Sequence, residues 1–209
     1  MKFLGYDGLP ARVVRYIWNM FLLNVCFVLC CLPVVTIGAA VSAMYSVFLN
    51  SSVESSALRR YFSAFKENLK QATILWLILL PMTLVLLANW YFLLSYEFAG
   101  NGMLIAISIV LTVLYLSVTS FVFALQARFD NSILQTMRNA LLLGIGKMFT
   151  GVLMSFVSLF PLIMFVVDLN VFINVVAIWI PWGCALQIQI NALILHRVFN
   201  KLQPQVSEE

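Results

Sequence analysis

Cys26, Cys30 and Cys31 crowd one stretch of the chain and Cys184 lies in a later one, and thiols of this kind can bind zinc or exchange disulfides. A tetrahedral metal site needs paired ligands with polar groups behind them. These thiols stand among Phe, Val and Leu, and the one histidine, His196, is remote from the first three. They read as buried, inert thiols. Gly144-Ile145-Gly146-Lys147, with Gly151 close behind, invites comparison with a phosphate-cradling loop. That loop follows a strand and places Ser or Thr directly after its lysine, whereas here a helical pattern precedes and Met148 follows. It reads as a flexible junction between two helices. A Ser/His/Asp or Cys/His arrangement also fails, because the sole histidine ends a long apolar stretch. The expectation is a protein that is not an enzyme and carries no cofactor or metal.

Polar side chains inside apolar stretches are the next chemical feature. Asn19, Asn24, Asn89, Gln187, Gln189 and Asn191 must each find a partner where water is absent. Gln187 and Asn191, four apart, share a helix face. With Asn24 they are candidates either to line a polar path or to hydrogen-bond between helices. The lack of Asp, Glu, Lys or Arg in these stretches favours the second. Gly38 with Ser42, and Ala39 with Ala43, are small residues four apart that permit close helix approach, within the chain or onto a partner.

The elements that position these residues follow from composition. Of 209 residues 63% are hydrophobic and 10% charged, with a mean hydropathy of +1.02. That is more apolar surface than a soluble core of this size hides. Uncharged stretches run from Tyr16 to Val53, Gln71 to Tyr96, Phe98 to Ala127, Met148 to Val167 and Leu169 to His196. About 20 helical residues cross the roughly 30 Å hydrocarbon, so four of these fit one crossing each. The first is nearly double that length and is interrupted by Pro33 and Gly38, which predicts a hairpin of two short segments, or one span and a re-entrant helix. The fold class expected is all-α, a polytopic transmembrane bundle of six, alternatively five, membrane segments. Their approximate limits are 16–33, 37–50, 73–96, 103–126, 148–167 and 171–196, in a single membrane domain over 1–202 with a polar tail at 203–209. The basic start followed by an apolar run is read as a retained anchor, because the run continues past Val41-Ser42-Ala43.

The net charge of +4 does not point to nucleic acid, because the cations sit at the edges of the apolar stretches. Lys2, Arg12 and Arg15 precede the first, and Arg59, Arg60, Lys66 and Lys70 lie in the first long polar segment. Arg128, Arg138 and Lys147 lie in the second, and Arg197 and Lys201 follow the last. The connections around Glu97 and Asp168 carry an acid each and no base. Retention of basic residues in the cytoplasm then places both termini and both polar segments in the cytosol. Those segments are patterned as two interfacial amphipathic helices, about 57–72 and 132–146. Phe62, Phe65, Leu69 and Ala72 oppose Lys66 and Lys70 in one, capped by Ser55 or Ser56. In the other, Ile133, Met137, Ala140, Leu141 and Gly144 oppose Gln135, Arg138 and Asn139, with caps in Asp130-Asn131-Ser132. Arg59, Arg60, Lys66, Lys70, Arg138 and Lys147 are the candidate contacts to membrane lipids or a cytosolic partner. Lys66 and Arg138 are 72 residues apart, and Glu97 and Asp168 are 71 apart, a spacing that suggests a duplicated unit. Trp18, Trp76, Trp90, Trp179 and Trp182 read as interfacial anchors.

Leu32-Pro33-Val34-Val35-Thr36-Ile37-Gly38-Ala39-Ala40, the run from Phe65 to Trp76, and the run from Phe129 to Leu143 resemble the YesL-like family of bacterial membrane proteins in order and spacing. The resemblance implies a Gram-positive bacterial membrane protein without an established activity, often encoded near carbohydrate ABC importers. The expected function is therefore a non-enzymatic accessory or regulatory component associated with importer subunits, the alternative being a small-solute permease.

Overall fold

The computed structural model describes residues 9–50, 56–96, 101–167, 173–174 and 179–202. Glu97, Asp168, Ser55, Lys2 and the tail at 203–209 lie outside them. Among the described residues the chain is helical: α1 (Leu9–Cys31), a 3-10 turn (Val34–Thr36), α2 (Ile37–Asn50), α3 (Ala57–Ser95), α4 (Asn101–Arg128), α5 (Ile133–Gly146), α6 (Met148–Val167), a π-helical turn (Trp179–Gly183) and α7 (Cys184–Leu202).

Three of these, Ala11–Cys31, Ala57–Ser95 and Gly102–Arg128, are long and apolar enough to cross a membrane, and the bent pair α5–α6 makes a fourth if counted as one. Among the described residues this is an all-α, membrane-type fold, with three or four such helices where six segments, alternatively five, were expected. The difference begins in the first apolar stretch. α2 has 14 residues, about 21 Å of helix, short of the roughly 30 Å hydrocarbon. Its start does not reach the far end of the neighbouring hairpin either. A Cβ on Gly38 would lie 2.5 Å from Ala72 O, 2.8 Å from Trp76 Cβ and 2.9 Å from the Phe123 ring. α2 therefore packs along the Ala57–Trp76 half of α3, with Ala39, Ala40, Ser42, Ala43 and Met44 fully buried.

The turn that sets this packing is built by three residues. Pro33 cannot continue α1, since it offers no backbone N–H. Thr36 Oγ1 lies 2.6 Å from Cys30 O and 2.8 Å from Pro33 O, so its hydroxyl satisfies a carbonyl that the end of α1 would otherwise orphan. Gly38, lacking a Cβ, then lets α2 close on α3.

α3 is continuous over 39 residues, about 58 Å, nearly twice a membrane crossing. The stretch 57–72 thus extends the axis of the span and is not a separate interfacial helix, because no glycine or proline interrupts it before Pro81. Its buried face is Ala57, Tyr61, Ala64 and Ala72, the last against Gly38 of α2, whereas Phe62 and Leu69 are exposed. The apolar stripe expected through Phe62 and Leu69 is thus rotated onto Tyr61, Ala64 and Ala72, the side on which neighbouring helices pack.

The second unit differs. α5 meets α6 at 101°, a corner made at Lys147, whose φ of −125° and ψ of 38° end the helix. Gly144 and Gly151 flank the corner and rest on α4, where a Cβ would come within 2.7 Å of Val118 and 2.1 Å of Ser117 Oγ. Lys147 N still donates to Leu143 O at 2.7 Å. The glycine-rich segment is a helix corner pressed against α4. One unit is a single continuous helix and the other turns through 101° at Lys147, so the 71- to 72-residue spacing does not reflect two copies of one shape.

α3 and α4 run antiparallel and are joined by side chains along their length. Thr83 Oγ1 and Tyr115 Oη are 2.6 Å apart, Asn89 Nδ2 donates to Ser108 Oγ at 2.8 Å, and Trp90 Nε1 donates to Thr112 Oγ1 at 2.9 Å. Around these bonds Val85, Leu87, Tyr91, Leu94, Met103 and Val110 are exposed, as suits a hairpin whose solvent is lipid.

Candidate functional site: a basic end held together by Gln126

Gln126, at the end of α4, is 5% exposed and joins three helices. Its Nε2 donates to Gln71 Oε1 at 2.6 Å and to Asn68 Oδ1 at 3.2 Å, both on α3. Its Oε1 accepts from the fully buried Thr136 hydroxyl of α5 at 3.3 Å. Asn68 Nδ2 in turn donates to Ala64 O at 3.0 Å. A buried amide with both ends engaged fixes the relative placement of its neighbours and is costly to disturb. Sequence reasoning passed over Gln126 because it sits one residue from the charged end of a long apolar stretch. Its signal would have been two amides three apart, Asn68 and Gln71, on the helix that must pair with α4.

The consequence is that the two basic helices lie at the same end of the molecule. Arg59, Lys66 and Lys70 are exposed on α3 at i, i+7 and i+11, one stripe on the side opposite Tyr61 and Ala64. Arg60 is partly covered and hydrogen-bonds Ser56 Oγ through Nε at 3.1 Å and Nη2 at 2.6 Å. Ser56 is the N-cap residue of α3, but its hydroxyl makes no cap bond, being occupied by Arg60. Ser63 Oγ donates to Glu67 at 2.8 Å on the same surface. On α5, Ser132 forms a capping box with Gln135: Ser132 Oγ accepts from Gln135 N at 3.4 Å and Gln135 Oε1 accepts from Ser132 N at 3.1 Å. Thr136, Ala140 and Gly144 are its buried face. Arg138 and Lys147 are exposed. The end of α7 joins this group, with Phe199 in edge contact with Phe129 at 5.6 Å and under the Arg128 guanidinium at 5.2 Å.

The polar residues singled out within the helices are placed as follows. Asn24 Oδ1, fully buried, accepts from Ala185 N at 2.8 Å. It thereby caps the start of α7, just after Pro181 and the π-helical turn that precedes it. Asn191 Nδ2 donates to Ser158 Oγ at 3.0 Å, linking α7 to α6. Gln187 is half-buried on the same side of α7 as Asn191, and Gln189 donates to the Tyr16 hydroxyl. A serine cluster that the sequence did not single out ties α4 to the α5–α6 corner: Ser117 Oγ donates to Gly144 O at 2.8 Å, and Ser120 and Ser155 hydroxyls are 2.9 Å apart. Gly38, Ala39, Ser42 and Ala43 are buried between helices of this chain. Cys26, Cys30, Cys31 and Cys184 are free thiols, and no group of three metal-ligating side chains occurs among the described residues. The arrangement offers a cationic surface and interhelical hydrogen bonds, the chemistry of binding and assembly.

Neither curated proteins nor solved structures give a match to this chain. One family of uncharacterised proteins, described as "Protein of unknown function, DUF624", matches residues 20–90, from the middle of α1 through the Pro33–Gly38 turn and α2 to most of α3.

Proposed function

We propose that the protein is a non-enzymatic accessory or regulatory component of a carbohydrate ABC import system in the bacterial cytoplasmic membrane, with both termini and both basic segments in the cytosol. The observation that carries this reading is the convergence on Gln126, which sets Lys66 and Lys70 of α3 at the same end as Arg138 of α5. A cation-rich end is retained on the cytoplasmic side. Its exposed stripe of Arg59, Lys66 and Lys70 suits an acidic partner surface or anionic headgroups. The importer as partner rests on the resemblance to YesL-like proteins. The pairing of Asn24 with α7 and of Asn191 with Ser158 supports assembly in preference to a solute path. Purification of the tagged full chain in mild detergent, followed by identification of co-purifying subunits, tests it. Importer components are expected, and their absence overturns the partnership.

One observation favours a second reading, a small-solute permease: Asn191 Oδ1 is buried without a hydrogen-bond partner among the described residues. Vesicles containing the protein would then take up or release a sugar.

A further inference from the structure

A groove of about 680 Å³ runs between α3, α4 and α5. Leu79 and Val85 of α3, Leu114 of α4, and Met137 and Leu141 of α5 form its walls, and Arg138 is the one charged side chain lining it. The Tyr115 hydroxyl, the other polar group there, is occupied by Thr83 Oγ1 at 2.6 Å and Leu79 O at 3.0 Å. The groove is thus a hydrocarbon surface with a cation at its α5 side. Its volume lies in the range of roughly 300–1,000 Å³ that holds a discrete small ligand. Val85 is 68% exposed and Leu141 47% exposed, so the groove opens sideways.

Position then identifies the occupant. Leu79 to Leu114 belong to the apolar parts of two membrane-crossing helices, where the surrounding solvent is acyl chain and a concavity of this size fills with it. The Thr136 bond to Gln126 and the Gly144 bond to Ser117 lay α5 back along α4, so Arg138, two residues past Thr136, stands beside the charged end of α4, where headgroups begin. A guanidinium there matches a phosphate with two parallel hydrogen bonds. We propose that the groove between α3, α4 and α5 seats one acyl chain of an anionic glycerophospholipid whose phosphate pairs with Arg138. This goes beyond the importer partnership and does not depend on it.

The test uses the full chain in mild detergent with equal amounts of phosphatidylglycerol and phosphatidylcholine, read by native mass spectrometry. One phosphatidylglycerol per chain is expected to be retained in preference to phosphatidylcholine. Arg138→Gln should lower that retention about fivefold, the effect of one surface cation on an anionic lipid. Leu114→Trp, which fills the groove, should remove the retained lipid of either kind, and Val85→Trp does the same from the open side should Leu114→Trp fail to fold. Arg197→Gln, an exposed cation on α7 outside the groove, should change retention less than twofold. Undiminished phosphatidylglycerol on Arg138→Gln, or a retained lipid with the groove filled, overturns the proposal.

Discussion

The Gln126 side chain donates to Gln71 across 2.6 Å and accepts from Thr136 at 3.3 Å, so one amide sets the distance between the two basic helices. Removing it leaves two carbonyl acceptors and a buried hydroxyl without their partner. Gln126→Leu should lower stability by about 1–3 kcal/mol, read as a drop in the detergent unfolding midpoint. An unchanged midpoint would show that the three bonds do not hold the helices.

Gly38 makes a sharper demand, because the nearest obstacle to a Cβ is the Ala72 carbonyl, a backbone atom that cannot rotate away. Gly38→Ala should cost about 1–3 kcal/mol by overpacking. Gly146→Ala, where nothing lies within 4 Å, is the matched control and should stay within about 0.5 kcal/mol of the parent. Equal effects from the two would contradict the packing of α2 on α3.

The shared end of α3 and α5 predicts the topology of labelling. With Cys26, Cys30, Cys31 and Cys184 replaced, Lys66→Cys and Lys147→Cys should both react with an impermeant thiol reagent from the cytosolic side. Labelling from opposite sides would sink the orientation proposed above.

Asn24 and Gln187 separate assembly from transport. Asn24→Leu removes the acceptor of Ala185 N and should destabilise by about 0.5–2 kcal/mol, as loss of a helix cap does. Gln187→Ala, whose side chain is half-buried, should leave stability within about 0.5 kcal/mol. In reconstituted vesicles neither variant should change sugar flux. A loss of flux on Gln187→Ala would favour the permease.

Much of this protein is written in one dimension. Hydropathy and charge are local sums, so the apolar stretches, the confinement of Lys and Arg to their edges, and a cap for α5 within Asp130-Asn131-Ser132 could be read directly from residue order. The membrane-type all-α class followed from them. The tertiary structure decided what depends on pairs distant along the chain. Asn24 caps a helix 161 residues away, and Gln126 selects partners 55 and 58 residues before it. It also decided that α2 lies along the basic half of α3, because Gly38 fits against Ala72 and not at the far end of the hairpin. Periodicity shows that a helix has two faces, but only its neighbours determine which is buried: on α3 Ala57, Tyr61, Ala64 and Ala72 are inward and Phe62 and Leu69 outward, with the Ala72 backbone against Gly38 of α2.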